Sequence, residues 1–124
     1  MQIKTYVVED NPTILDNLIA TLEELTNVAT VGTAETEKEG VIWLTNSNNA
    51  WDLAIVDLFL KQGTGLGVVA ACKKRLPNQK VIVLSNYATS DVRKQCEMLG
   101  ADAVFDKSTE IEQLLAYCDK LSQS

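Results

Sequence analysis

Five residues with ionisable or hydroxyl side chains stand at comparable places in this sequence, each just beyond a short apolar run. Glu9 and Asp10 follow Ile3–Val8, Asp57 follows Leu53–Val56, Ser85 follows Val81–Leu84, and Lys107 comes two residues after Ala103–Phe105. Three carboxylates brought close together repel one another, at a cost on the order of 4 kcal/mol per pair at about 4 Å and an effective dielectric near 20. One lysine cannot neutralise three acids, so the set asks for a bound dication, and oxygen-only ligands favour a hard ion such as Mg²⁺. Mg²⁺ keeps several waters and commonly bridges carboxylates to phosphate, which would fill the remaining coordination positions. Taken singly, each residue has an ordinary explanation: Asp10 as a helix cap, Asp57 as a turn residue, Lys107 as a solvated surface side chain. Their recurrence at successive run ends is what coincidence explains poorly.

The elements that must position these residues are legible in the same pattern. A fifth run, Val28–Thr33, joins the four above, and most of them are rich in Val and Ile, as buried parallel strands are. Segments with helical periodicity lie between them, so the chain reads as α/β, a parallel sheet of stacked βα units with helices on both faces. In such a sheet ligands bind beyond the carboxyl ends of the strands, where all five residues would converge. Asn11-Pro12 predicts a capped helix start, followed by the stripe Ile14, Leu15, Leu18, Ile19, Leu22 and Leu25. Thr36…Glu39 predicts a capping box opening a second helix, on which Trp43 reads as packing. The spacing predicts a third helix over 66–76, stopped by Pro77, and a fourth from Ser90-Asp91 to a left-handed cap at Gly100. A fifth is predicted to begin at Ser108 or Thr109, with Thr109…Glu112 as a capping box.

Composition bounds the rest. With 124 residues the chain fits one domain over 1–124, and its net charge of -6 argues against broad nucleic-acid binding, which needs clustered cations. The run Lys73-Lys74-Arg75 reads as a solvated helix end. Cys72, Cys96 and Cys118 are widely spaced, and with no His in the chain they complete no zinc site; reduced thiols in a cytoplasmic setting are expected. No secretory leader and no membrane-spanning apolar stretch is legible. Gly63-Thr64-Gly65 is a loop, not a dinucleotide fingerprint, because the full glycine pattern after the first strand is missing.

Taken in order, Val7-Val8-Glu9-Asp10-Asn11, Ile55-Val56-Asp57-Leu58-Phe59-Leu60 with Gly63-Thr64-Gly65, Val81-Ile82-Val83-Leu84-Ser85, and Gly100-Ala101-Asp102 with Lys107 resemble the receiver domain of two-component response regulators. The resemblance covers essentially the whole chain. It implies a flavodoxin-like, doubly wound five-stranded parallel sheet in the order 2-1-3-4-5 with five helices. It implies Asp57 as phosphoacceptor, Mg²⁺ held by Glu9, Asp10, Asp57 and the Phe59 carbonyl, Lys107 paired with phosphoryl oxygens, and Ser85 turned inward to bond the phosphoryl group. The implied partners are a sensor histidine kinase or histidine phosphotransfer protein upstream and a protein target downstream, with no direct nucleic-acid or membrane contact. A receiver of this kind catalyses only its own phosphorylation and dephosphorylation.

Four positions depart from the family pattern. Glu9 is one methylene longer than the commoner Asp, Asn86 follows Ser85 where a small residue is usual, Val104 stands where an aromatic is common, and Ser108 replaces a frequent Pro, so a trans peptide is expected there. Asn86 bears on access to the phosphoryl group and Val104 on the switch. Val104 keeps open a degenerate receiver, a constitutive binding module on the same fold. An enzyme on the same sheet fits less well. Leu58 and Phe59 after Asp57 lack the second acid of an aspartyl-phosphate phosphatase, and Glu9-Asp10 would repel a flavin phosphate.

Overall fold

Stiff β-branched side chains suit a pleated, buried surface, and they dominate β1 (Ile3–Val8) and recur in β3 (Leu53–Asp57) and β4 (Lys80–Ser85). β2 (Val28–Ala34) and β5 (Ala103–Asp106) flank these three strands, and all pairs are parallel, in the order β2-β1-β3-β4-β5. This is the sheet expected from the sequence, in a computed structural model that describes residues 2–123. Met1 and Ser124, the ends of the expected 1–124 domain, lie outside the described residues.

Side chains alternate across each strand, so neighbouring apolar residues serve opposite layers. Tyr6, Val8, Ala54, Val56, Val81 and Val83 face α2 (Glu37–Leu44), α3 (Gly65–Ala71) and α4 (Ser90–Met98). Ile3, Val7, Leu53, Ile55, Ile82 and Leu84 face α1 (Pro12–Leu25) and α5 (Ile111–Ser122), against Leu22, Leu114 and Cys118. Two such layers are how a central strand with no polar face is covered.

Several helix ends follow the sequence directly. The Asn11 side chain accepts from the Ile14 amide at 3.1 Å, with Pro12 at the first helical position. Thr36 accepts from the Glu39 amide at 3.2 Å and donates to its carboxylate at 3.1 Å. Gly100 adopts φ +108, the left-handed conformation that glycine enters without strain. Trp43 stacks on Tyr6 with ring centroids 4.2 Å apart, which makes it packing as expected. The three cysteines are free and buried, and burial pushes the Cys118 thiol up to about 12. No peptide among the described residues is cis, Lys107–Ser108 included.

Two helices differ from their expected spans. α3 ends at Ala71 rather than running to residue 76. Arg75 folds back there, donating to the carbonyls of Cys72 (3.1 Å), Gln79 (2.8 Å) and Gly100 (2.7 Å) and to Asp102 (2.7 Å). A side chain that takes up the last helical carbonyls substitutes for continued backbone bonding. Lys73 and Lys74 are exposed, but Arg75 is therefore a structural tie and not part of a solvated helix end. α5 begins at Ile111 rather than Ser108 or Thr109, and no Thr109…Glu112 box caps it. The Asp106 carboxylate instead accepts from the amides of Ser108 (2.8 Å) and Thr109 (3.1 Å), a local turn that competes with helix.

Candidate functional site

Strand register brings the chemistry-bearing residues together. Val8 of β1 lies level with Val56 of β3, so Glu9 and Asp10 leave the sheet beside Asp57. Asp57 is level with Leu84 of β4, which places Ser85 one step further on, and Ser85 is level with Asp106, next to Lys107. Beyond β1 the Glu9 amide still donates to the Ala34 carbonyl at 2.9 Å, which fixes its backbone before the turn into α1.

Glu9, Asp10 and Asp57 each offer a carboxylate oxygen, and these atoms lie within 4.8 Å of one another. The Lys107 ammonium stands between two of the acids, 2.6 Å from Glu9 Oε1 and 2.9 Å from Asp57 Oδ2. The setting is dry: Glu9 is 3% exposed, Asp57 8% and Ser85 0%. Asp10 is the outer member, its Oδ2 accepting from the Lys61 amide at 2.7 Å. Glu9 Oε2 accepts from the Asn11 amide at 3.2 Å, so both Glu9 oxygens have donors. Burial pushes the Glu9 carboxyl above its usual range, against the opposing hydrogen bond from Lys107. Burial also works against the Lys107 charge, but its bonds to Glu9 and Asp57 outweigh that and hold the ammonium above its usual value.

The Ser85 hydroxyl accepts from the Tyr87 amide at 3.0 Å. Asn86 is exposed beside it. Phe59 and Tyr87, both more than half exposed, meet edge to face at 5.9 Å across the loops that follow β3 and β4. Val104 does not reach the cup: it is buried in the layer under α2, α3 and α4, while Phe105 packs on Tyr117 in the opposite layer at 5.9 Å. Neither residue supplies a mobile aromatic at this position.

Two contributors escaped the sequence reading. Gly65 starts α3 directly beneath Asp57, where any Cβ would fall 2.2 Å from the Asp57 carbonyl oxygen. The sequence signal is the Gly63-Thr64-Gly65 spacing after Asp57, which marks a loop and carries part of the receiver resemblance but does not itself reveal the close approach to Asp57. Glu37 reaches from α2 to accept the Thr64 amide at 2.8 Å and fills the space beside Gly63 and Gly67. Its partner is 27 residues away, beyond the reach of any local pattern.

The donor set suits a hard dication: among the described residues the cluster offers only carboxylate oxygens, crowded enough to repel and open on the Asp10 side. The local net charge of three acids and one lysine leaves room for two further positive charges.

Comparison with known proteins agrees with this arrangement. The family model of the response regulator receiver domain matches residues 5–119. The receiver domain of a Francisella response regulator superposes with a TM-score of 0.83 at 21% identity, covering 98% of each chain. A Burkholderia pseudomallei response regulator, solved with a phosphorylated aspartic acid and a calcium ion, gives 0.79 at 25% identity over 98% of this chain and 70% of that one. The photosynthetic apparatus regulatory protein RegA of Rhodovulum sulfidophilum is 32% identical over 63 residues, which are 51% of this chain and only 34% of RegA. Since the family model runs through nearly every strand and helix described above, this chain belongs to the response regulator receiver domain family.

Proposed function

We propose that this receiver accepts a phosphoryl group on Asp57 in a Mg²⁺-dependent reaction, and that the modification switches a protein-binding surface. The observation that carries this reading is Asp57 Oδ2 lying 2.9 Å from the Lys107 ammonium, with Glu9 and Asp10 oxygens within 4.8 Å. Asp57 attacks the phosphorus of a phosphohistidine on a sensor histidine kinase or histidine phosphotransfer protein. A P–O bond forms as the P–N bond breaks, and the electron pair returns to the departing imidazole. Glu9, Asp10, Asp57 and the Phe59 carbonyl would hold Mg²⁺, directly or through water, and the ion would supply neutralisation of the crowded anions and of the transferring group. Lys107 pairs with the phosphoryl oxygens, and the buried Ser85 hydroxyl donates to one of them. Water later hydrolyses the acyl phosphate.

The new charge redraws the hydrogen bonds of Ser85 and its loop, which borders the face formed by α4, β5 and α5, where a downstream protein docks. The reaction has no substrate besides the phosphodonor, and its setting is the cytoplasm. A constitutive, unphosphorylated binding module is the second reading, and the buried, aliphatic Val104 is what favours it. The two separate on labelling by acetyl phosphate: the receiver is labelled in a reaction expected to need Mg²⁺ and to slow by about a hundredfold in Lys107→Ala, whereas the constitutive module stays unlabelled under saturating donor. Labelling that is indifferent to chelation and to Lys107 would contradict the proposed chemistry.

A further inference from the structure

The first turn of α4 carries a side chain that ties together three elements distant in sequence. Arg93 Nε donates to the Ala88 carbonyl at 2.9 Å, in the loop that leaves Ser85. Its Nη1 donates to the Val104 carbonyl of β5 at 2.9 Å, and its Nη2 to Glu110 Oε1 at 2.5 Å, at the start of α5. The same Glu110 oxygen accepts from the Asp106 amide at 2.9 Å, so the bond continues into the loop that carries Lys107. On the other side, the Tyr87 amide is held by Ser85 Oγ and the Thr89 amide by the Tyr87 carbonyl.

Besides the Thr89 cap on the Val92 amide and the half-buried Ala88 and Val92, little apolar burial anchors this end of α4. Cys96, near its far end, is the one fully buried residue of the helix. Elements with few buried apolar contacts sit at the low-stability end of a structure, where a few polar bonds decide whether they move. A guanidinium suits this place because its planar fork presents several donors in fixed directions, whereas an ammonium is a point charge.

We infer that Arg93 is a clamp that makes the Ser85 loop, the Lys107 loop and the start of α5 move as one unit. The clamp itself is a property of the unmodified protein. What sets it in motion rests on the phosphoryl-acceptor reading: a change at Ser85 or Lys107 passes through Ala88 or Glu110 to Arg93 and so to the α4–β5–α5 face. Arg93 touches no reacting atom; it is a positioning residue.

The test is amide hydrogen exchange and amide chemical shift by NMR on the full chain, for the wild type, Arg93→Ala, Arg93→Lys and, as a neighbouring exposed control, Lys94→Ala. Without ligand, exchange at the Asp106 and Tyr87 amides is expected to rise about tenfold in both Arg93 variants and to stay unchanged in Lys94→Ala. With Mg²⁺ and beryllofluoride, wild-type amides of both loops and of 110–114 shift together. In the Arg93 variants the Ser85-loop amides shift while those of 110–114 do not follow. Unchanged exchange and an intact α5 response in Arg93→Ala would overturn the clamp, as would full restoration by lysine. Arg93→Lys carries the decision if the alanine variant does not fold. A wild type that ignores Mg²⁺ and beryllofluoride would sink the phosphoryl-acceptor reading alone, since the exchange comparison still judges the clamp.

Discussion

Lys107 donates to Glu9 and Asp57 together, and the two acids stand differently toward a metal. Asp57 keeps its other oxygen near only a long contact from the Phe59 amide, while both Glu9 oxygens are engaged. The Glu9 side chain, visible in the sequence as a departure, spans from the Asn11 amide to Lys107. Its cost is legible in titration. Burial raises the Glu9 carboxyl in the folded state, so its contribution to stability is fully present below the unfolded value of about 4.3 and is lost as pH rises through the folded value. Relative to Glu9→Gln, which cannot ionise, the wild type is therefore expected to lose stability as pH rises from about 4 toward neutrality. Urea unfolding of both proteins across that window checks the sign; a wild type that gains on the variant as pH rises would contradict it. Glu9, Asp10, Asp57, Ser85 and Lys107 could all be named from the sequence because each lies within two residues beyond an apolar run. Arg93 could not, since its partner Glu110 is 17 residues away and nothing local marks either residue.

At the scale of elements, helix starts were more legible than helix stops. Asn11, Thr36 and Ser90 stand at or next to a cap, because a cap is a local bond within three residues. α3 stops short of its predicted span because Arg75 ends it through bonds to Gln79, Gly100 and Asp102, which a periodicity over 66–76 does not contain. α5 starts later than its predicted position for a similar reason: the Asp106 side chain competes for the amides of Ser108 and Thr109. The β3–α3 connection yields a sharper expectation. Gly65 has no room for a Cβ against the Asp57 backbone, and backbone cannot give way as a flexible side chain can. Gly65→Ala is expected to cost about 1–3 kcal/mol of stability and to lower Asp57 labelling, because the strain falls on the acceptor's own peptide. Equilibrium unfolding and labelling rate measure the two effects; an alanine variant equal to the wild type in both would show that the loop relaxes without moving Asp57.

Over the whole molecule, the three-layer arrangement follows from one constraint, that every strand with two apolar faces needs helices on both sides. The alternation of Leu53 and Ile55 against Ala54 and Val56 expresses it within a single strand. Leu114, fully buried on the α5 side, is expected to cost about 2–5 kcal/mol when cut to alanine. Chemical denaturation measures that loss, and a smaller one would mean that the α1–α5 layer collapses around the gap. Crowding three carboxylates against one ammonium leaves a net negative cup that a bound dication would relieve. Mg²⁺ at about a hundred times its dissociation constant is expected to stabilise the fold by about 2.7 kcal/mol, with a smaller gain in Asp57→Asn. Thermal unfolding with and without the metal reads that difference, and a melting temperature indifferent to Mg²⁺ would count against the site.

The most direct test of phosphoryl acceptance on Asp57 is intact mass after incubation with acetyl phosphate and Mg²⁺, with Asp57→Asn alongside. The wild type is expected to gain the mass of one phosphoryl group, to lose it on standing, and to gain nothing when the metal is chelated, while Asp57→Asn stays unmodified. A wild type that remains unlabelled under saturating donor and metal, or an Asp57→Asn variant labelled to the same extent, would contradict the account.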